Sequence, residues 1–268
     1  MIWRLIVITT LLTLTGCAAN YDLATWQTVA SQPRAEAARG SLQEDLAAVD
    51  ELRNAGDLRA SRSLALALAA EHPDDGSVLW RAARAESDAV LLHHAHEKDQ
   101  RAMAALSAAE YAKRAVAAAP EDPEAAAWYA YALGGTTHLA PMMARAGHAR
   151  KTERAAERAL ALEPANPVAH QTLAILNYRL ETLPGIAKVM SFGKPKSSLS
   201  DAESHARAAY EELPSLENAL LLSRILDARG EGAKAKLLQS EALAQPNTPP
   251  PDAVVRSSEA LLQASDQP

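Results

Sequence analysis

The stretch KTERAAERALALEPANP at residues 151–167 decides the fold. Its small residues Thr152, Ala156 and Ala159 are spaced at i, i+4 and i+7, so they share one face of a helix. Pro164 cannot continue that helix, and the Asn-Pro pair after it is typical of a new helix start. The stretch therefore predicts a helix with one face of small residues, a tight turn and a second helix.

The same pattern surrounds three other prolines along the chain. Counting back five, eight and twelve residues from each of the four prolines, eleven of the twelve positions hold Ala, Ser or Thr, the exception being Leu68. The residue ten positions after the proline is Ala in three cases, whereas the fourth has Arg224 beside Ser223. Small side chains at fixed distances indicate repeated helix pairs that pack closely. The prolines are Pro73, Pro120, Pro164 and Pro214, and the positions before them are Ser61, Ala65, Leu68, Ala108, Ala112, Ala115, Thr152, Ala156, Ala159, Ala202, Ala206 and Ala209.

Composition agrees with an all-α fold. Ala makes up roughly a fifth of the 268 residues, and aromatic residues only 4%. Ala favours helices and disfavours strands. The proportions of hydrophobic (48%) and charged (22%) residues fit a folded domain, and the net charge of −6 argues against a nucleic-acid binder.

The first residues predict an export signal. An apolar run from Leu5 to Leu14 follows Arg4 and is too short for a permanent membrane span. It ends in Leu-Thr-Gly-Cys at residues 14–17, which resembles the lipobox of bacterial lipoproteins. That resemblance implies a signal peptide at residues 1–16 and acylation of Cys17, with palmitate among the acyl groups. The alternative is a cleaved signal that ends at a Cys by chance.

The lipobox resemblance also implies a location in the cell. Ala18 follows the Cys, which in enteric lipoproteins favours the outer membrane, with the domain facing the periplasm. Cys17 is the only Cys, so no intramolecular disulfide can form. Residues 17–40 would be the anchor and tether. Ser41-Leu42-Gln43-Glu44 is the signature of a helix start, so we expect the helical array at residues 41–246. A Pro-rich break and a C-terminal capping helix would complete it at 247–268.

The offsets resemble the tetratricopeptide repeat (TPR), an antiparallel helix hairpin that stacks into a superhelix. The proline intervals are 47, 44 and 50 residues, longer than the family's period of about 34. We therefore expect insertions in the middle repeats. The first should lengthen both of its helices, whereas the second should break at Gly134-Gly135 and Pro141, and the third at Pro184-Gly185 and Pro195.

A narrower resemblance covers about residues 75–265. Residues 126–134, 151–164, 166–170 and 183–192 are similar to the TPR-like domain of the regulator of microtubule dynamics family. This resemblance implies a helical adaptor domain held at a membrane, with phospholipid binding suggested for the mitochondrial members. Microtubule association would not transfer to a bacterial periplasm.

The repeat register predicts which residues line a groove. In TPR arrays the first helix of each pair lines the concave face. Here that face would carry aromatic residues and one Arg, which suits an extended peptide or an acyl chain with an anionic head, unless the side chains only fill space beside Ala. The predicted ligand- or partner-binding residues are Trp80, Arg84, Ser87, Tyr131, Gln171, Ile175 and Tyr178.

A basic patch is predicted in the second and third insertions. It could bind a phosphate or carboxylate or face anionic lipid, or it could be a solvated face with internal ion pairs. The apolar residues of the third insertion, Ile186 to Phe192, would form a lid or membrane-facing turn, or else cover the helix ends. The patch comprises Arg145, Arg150, Lys151, Arg154, Arg158, Lys188, Lys194 and Lys196.

No motif in the sequence indicates catalysis, a metal or a cofactor. His93, His94 and His96 lack the further ligands of a zinc site and fit a polar helix surface. We therefore expect a lipid-anchored TPR-like lipoprotein that acts as a protein-interaction adaptor, not an enzyme. The alternative is a carrier for a phospholipid or small organic anion, as in transporter-associated TPR lipoproteins. An open polar groove would favour the adaptor and an enclosed apolar channel the carrier.

Overall fold

The computed structural model describes residues 40–93, 97–183 and 197–244, which form helices and no strands. Several predicted features lie outside these residues. They are the signal peptide, the acylation site Cys17, the third insertion with Lys188, and the C-terminal capping helix.

Ten α-helices in the described residues form five antiparallel hairpins, so the predicted all-α, TPR-like fold is confirmed. Each helix packs on the next, and α1, α3, α5 and α7 also contact the next odd-numbered helix. The helices are α1 (Leu42–Asn54), α2 (Leu58–Glu71), α3 (Gly76–Leu92), α4 (Lys98–Ala118), α5 (Pro123–Thr136), α6 (Met142–Leu162), α7 (Pro167–Thr182), α8 (Leu199–Glu212), α9 (Leu216–Ala228) and α10 (Gly232–Leu243).

Polar caps start the odd-numbered helices. The predicted capping box at Ser41 is confirmed, since its side chain accepts from the Glu44 amide while the Glu44 carboxylate accepts from the Ser41 amide. After each of the four prolines, an Asp, Asn or Ser side chain accepts from amides of the next first turn. Each turn therefore both stops one helix and starts the next. The four capping residues are Asp75, Asp122, Asn166 and Ser215.

The small residues counted back from the prolines form the helix contacts. All twelve of these positions are buried, including Leu68, and so are Ala83, Ala130 and Ala174. In the fourth repeat the buried position belongs to Ser223, and Arg224 is only partly buried. Because these side chains are short, the paired helices approach closely.

The first two insertions behave as expected except at one point, and the predicted breaks of the third, at Pro184-Gly185 and Pro195, lie outside the described residues. The first lengthens both of its helices, to 17 residues in α3 and 21 in α4. The predicted break at Gly134-Gly135 is wrong, because α5 runs through both glycines and gives way to a 3-10 turn at Thr137–Leu139. A Cβ on Gly134 would lie 3.3 Å from Cγ2 of Thr152, so this glycine lets α5 and α6 pack closely. The break at Pro141 is confirmed, since α6 starts immediately after it.

The array curves with its odd-numbered helices on the inside. Tyr131 on α5 reaches Glu217 on α9, two odd-numbered helices further along, with 3.4 Å between the hydroxyl oxygen and Oε1. Such a contact requires the superhelix to curve, so that its inner side brings α5 and α9 together. The first helices of the hairpins therefore form the inner face.

Gly76 tests the close approach of α3 and α4. A Cβ at this position would lie 2.5 Å from the Cβ of Ala119, so Gly76→Ala must push the two helices apart. We expect the free energy of unfolding in urea to fall by about 1–3 kcal/mol. Gly147→Ala in α6 is the control: a Cβ there has no neighbour within 4 Å, so helix propensity should raise stability by about 0.5–1 kcal/mol. Equal stability changes in the two variants would contradict the close crossing.

Candidate binding face and cavity

Arg53 occupies the centre of the inner face. Its Nε lies 2.7 Å from Oδ2 of Asp88 and its Nη2 3.2 Å from Oδ1, so α1 and α3 share a two-point ion pair. The guanidinium also lies 5.9 Å from the ring centre of Trp128 on α5. The charge of Asp88 raises the pKa of Arg53. Arg53 therefore joins three of the odd-numbered helices.

A second polar cluster on the inner face is formed by Tyr131 on α5, Gln171 on α7 and Glu217 on α9. Tyr131 donates its hydroxyl to Glu217, which also accepts a hydrogen bond from Gln171. Burial raises the pKa of Glu217 and that of Tyr131 above their usual values. Two of the predicted groove residues are thus brought together, and their polar ends contact a carboxyl group of the same chain.

Trp80 and Arg84 lie on α3, towards the N-terminal end of the inner face. Trp80 is buried, and the guanidinium carbons of Arg81 and Arg84 lie 4.1 and 5.2 Å from the centre of its ring. Both arginines hydrogen-bond to Asp50 on α1. Burial opposes ionisation of Asp50, but these hydrogen bonds and charges outweigh it, so its pKa is lowered. Arg84, the predicted cation for an anionic ligand, is therefore paired within the chain.

Of the remaining predicted groove residues, Ile175 and Tyr178 lie further along the array, on α7, whereas Ser87 lies on α3. Ile175 and Tyr178 are partly buried and pack against the apolar cluster that includes Leu221 and Leu222. Ser87 donates its hydroxyl to the carbonyl of Ala83, one turn earlier in α3. The predicted residues thus follow the inner face but do not form one continuous aromatic floor.

A small cavity of about 50 Å³ opens between four helices and the 3-10 turn. Its apolar wall includes Val90, Ala105, Ala108 and Ala132, and Ser87 and Tyr131 add hydroxyl groups. The remaining lining residues are Gly135 and three basic residues, Arg101, His138 and Arg179, and none is acidic. This volume fits one or two water-sized groups. It is therefore the size of a carboxylate or phosphate group and much smaller than a lipid.

The three basic residues come from three different elements. Arg101 is on α4, His138 on the 3-10 turn and Arg179 on α7. Burial lowers the pKa of Arg179 and of Arg101. Desolvation, followed by the charge of Arg179, lowers the pKa of His138. The two arginines place positive charge at the cavity, and such charge attracts an anion.

The described part of the predicted basic patch lies on α6. Arg150, Lys151 and Arg154 are exposed. Arg145 donates to the carbonyls of Ala140 and His138, and so ties the start of α6 to the 3-10 turn. The rest of the predicted patch, Lys188, Lys194 and Lys196 of the third insertion, lies outside the described residues.

Neither a metal cluster nor a membrane span is found in the described part of the chain. No group of three or more His, Cys, Asp or Glu residues is placed there to hold a metal ion. His93 lies 3.9 Å from Glu97, and His94 and His96 are outside the described residues. None of the described helices combines the length and apolarity that a bilayer crossing needs.

Sequence reasoning missed several residues of the inner face. Arg53 and Glu217 lie on α1 and α9, the first helices of two hairpins for which the register named no groove residue. Arg179 lies eight residues after Gln171, on the same stripe of α7. Arg101 and His138 gave no such signal, since they come from the insertions.

Comparison with known proteins agrees with this architecture. A chain from Thermus thermophilus, described as a thermophilic TPR protein, superposes with a TM-score of 0.59 at 18% sequence identity. The superposition covers 82% of the present chain and 98% of the other. At this identity the likeness shows the fold alone.

Sequence comparison identifies the family. Mouse regulator of microtubule dynamics protein 1 is 27% identical over 202 residues, covering 73% of this chain and 65% of the relative. Bovine regulator of microtubule dynamics protein 3 is 28% identical over 245 residues, covering 87% and 52%. The chain thus spans between about half and two thirds of these relatives. The profile described as regulator of microtubule dynamics protein 1-3 matches residues 45–265, so this chain belongs to that family.

Proposed function

We propose that this protein is an adaptor that binds a protein partner along the inner face of its helical array. The observation that carries the proposal is the polar character of this face, where Arg53, Asp88, Tyr131 and Glu217 meet. A polar face suits the main-chain and charged groups of a peptide better than an acyl chain. The TPR-like fold supports protein binding, and the motif-free sequence favours binding over catalysis.

A photo-crosslinking residue tests this proposal. Placed at Tyr178 on the inner face, it should form an adduct with one protein in the native envelope. Placed at Arg207, an exposed position on α8, it should not. The captured protein is then purified and titrated against the chain. Gln171→Ala should weaken binding by about three- to thirtyfold, since one buried hydrogen-bonding group is lost.

The opposite crosslinking pattern would contradict the proposal of an adaptor. Adducts at Arg207 alone would move the partner to the outer face. A captured protein that binds Gln171→Ala and the parent chain equally would also count against the inner face. The melting temperature of each variant checks that folding is intact.

We further propose that Cys17 anchors the domain to the periplasmic side of the outer membrane. The support is the Leu-Thr-Gly-Cys motif after a short apolar run. Several acyl chains on one residue give stable attachment, because each buried CH₂ contributes about 0.8 kcal/mol.

Cys17→Ala tests the anchor. We expect this variant to be soluble or unprocessed and to lack the added mass of the acyl groups. The measurements are membrane fractionation and intact-protein mass spectrometry, with Ser31→Ala in the predicted tether as control. Unchanged fractionation together with unchanged mass would refute acylation.

A carrier for a small organic anion is the second candidate, and the cavity with Arg101, His138 and Arg179 is the observation that favours it. Its volume would admit a carboxylate or phosphate head.

The carrier is tested by the melting temperature in sodium phosphate and in sodium decanoate. A carrier should be stabilised by one of these anions beyond a sodium chloride control of equal ionic strength. Arg179→Gln should abolish the shift, whereas Arg207→Gln on α8 should keep it. Shifts that are absent, or equal in the two variants, would remove the carrier from consideration.

A further inference from the structure

The start of α6 exposes two large apolar side chains. Met142 is 64% exposed and Met143 85% exposed, in the first turn after Pro141. In the described residues, only three other large apolar side chains are similarly exposed, and none of them adjoins another. Neighbouring exposed apolar residues at a helix end mark a contact surface more often than isolated ones do.

A basic stripe continues from these methionines along the same helix. Arg150 and Arg154 follow Met143 by seven and eleven residues, so all three lie on one face of α6. Arg150, Lys151 and Arg154 are exposed and form no salt bridge with a described residue. At about 1.5 Å per residue, the stripe from Met143 to Arg154 is about 16 Å long.

The other charged residues of α6 leave this stripe positive. Arg158 donates to the carbonyl of Pro120 and pairs with Glu121. Glu153 is partly buried, and Glu157, three residues after Arg154, is exposed on the same stripe and offsets one of its positive charges. The helix therefore carries an excess of positive charge on a chain whose net charge is −6.

We infer that the exposed side of α6, with Met143, Arg150 and Arg154 along its centre and Met142 and Lys151 at its two edges, docks on an anionic lipid bilayer. Methionine side chains at the tip can enter the headgroup region, while the cations approach lipid phosphates. Charge complementarity favours this partner, because exposed cations without salt bridges keep their full attraction for a negative surface. The docking goes beyond the adaptor proposal, since it would fix how the array lies on a membrane.

Vesicle sedimentation of residues 18–268, which lack the acylated Cys, tests this docking. The probes are vesicles of phosphatidylcholine alone and of phosphatidylcholine with phosphatidylglycerol. We expect binding to the anionic vesicles only, and weaker binding as salt is raised. Arg150→Gln with Lys151→Gln should lower the partition coefficient on the order of tenfold, and Met143→Ser by a few fold.

Helix α10 supplies matched controls. Lys234→Gln with Lys236→Gln removes two exposed charges, and Leu237→Ser removes an apolar side chain that is 58% exposed. These variants should bind like the parent chain. The inference is overturned if anionic vesicles are not bound, or if the α10 variants lose as much binding as the α6 variants. It is also overturned if the α6 variants bind vesicles normally but lose a protein partner.

Discussion

Close contact between helices through small side chains is the constraint on which the rest of the structure depends. At each of the four proline-ended repeats, buried Ala, Ser or Thr residues line the helix before the proline, and the helix after it has Ala or Ser at the matching position. Larger residues there would separate the helices and change the curvature of the array. That curvature brings α5 within hydrogen-bonding distance of α9. The inner face therefore follows from packing, before any of its polar residues is considered.

Arg53 shows how this packing leads to a site. Its guanidinium pairs with Asp88 and lies near the ring of Trp128, so three helices meet at one charge. A buried charge pair is a weak source of stability, because desolvation offsets much of the attraction. Its clearer role is to keep the centre of the inner face polar. A polar centre distinguishes a face that binds a chain with hydrogen-bonding groups from a channel for a hydrocarbon.

Much of the fold could be predicted from the sequence because the repeat signal lies in residue size. The spacing of Thr152, Ala156 and Ala159 before Pro164 predicted the buried helix faces. The Gly134-Gly135 pair was misleading, because glycine lowers helix propensity but also permits the close packing that keeps α5 helical. The site was only partly predictable. Tyr131 and Gln171 followed from the register, whereas Glu217 joins them through curvature, which no local pattern encodes.

The adaptor proposal requires that the inner face binds a protein and does not carry a small molecule. Native mass spectrometry of residues 18–268, purified from a bacterial periplasm, tests it most directly. We predict the mass of the polypeptide alone, because the charged and hydrogen-bonding groups of the inner face disfavour a resident hydrocarbon. A stoichiometric additional mass, released on denaturation and identified as a lipid or an organic acid, would contradict it.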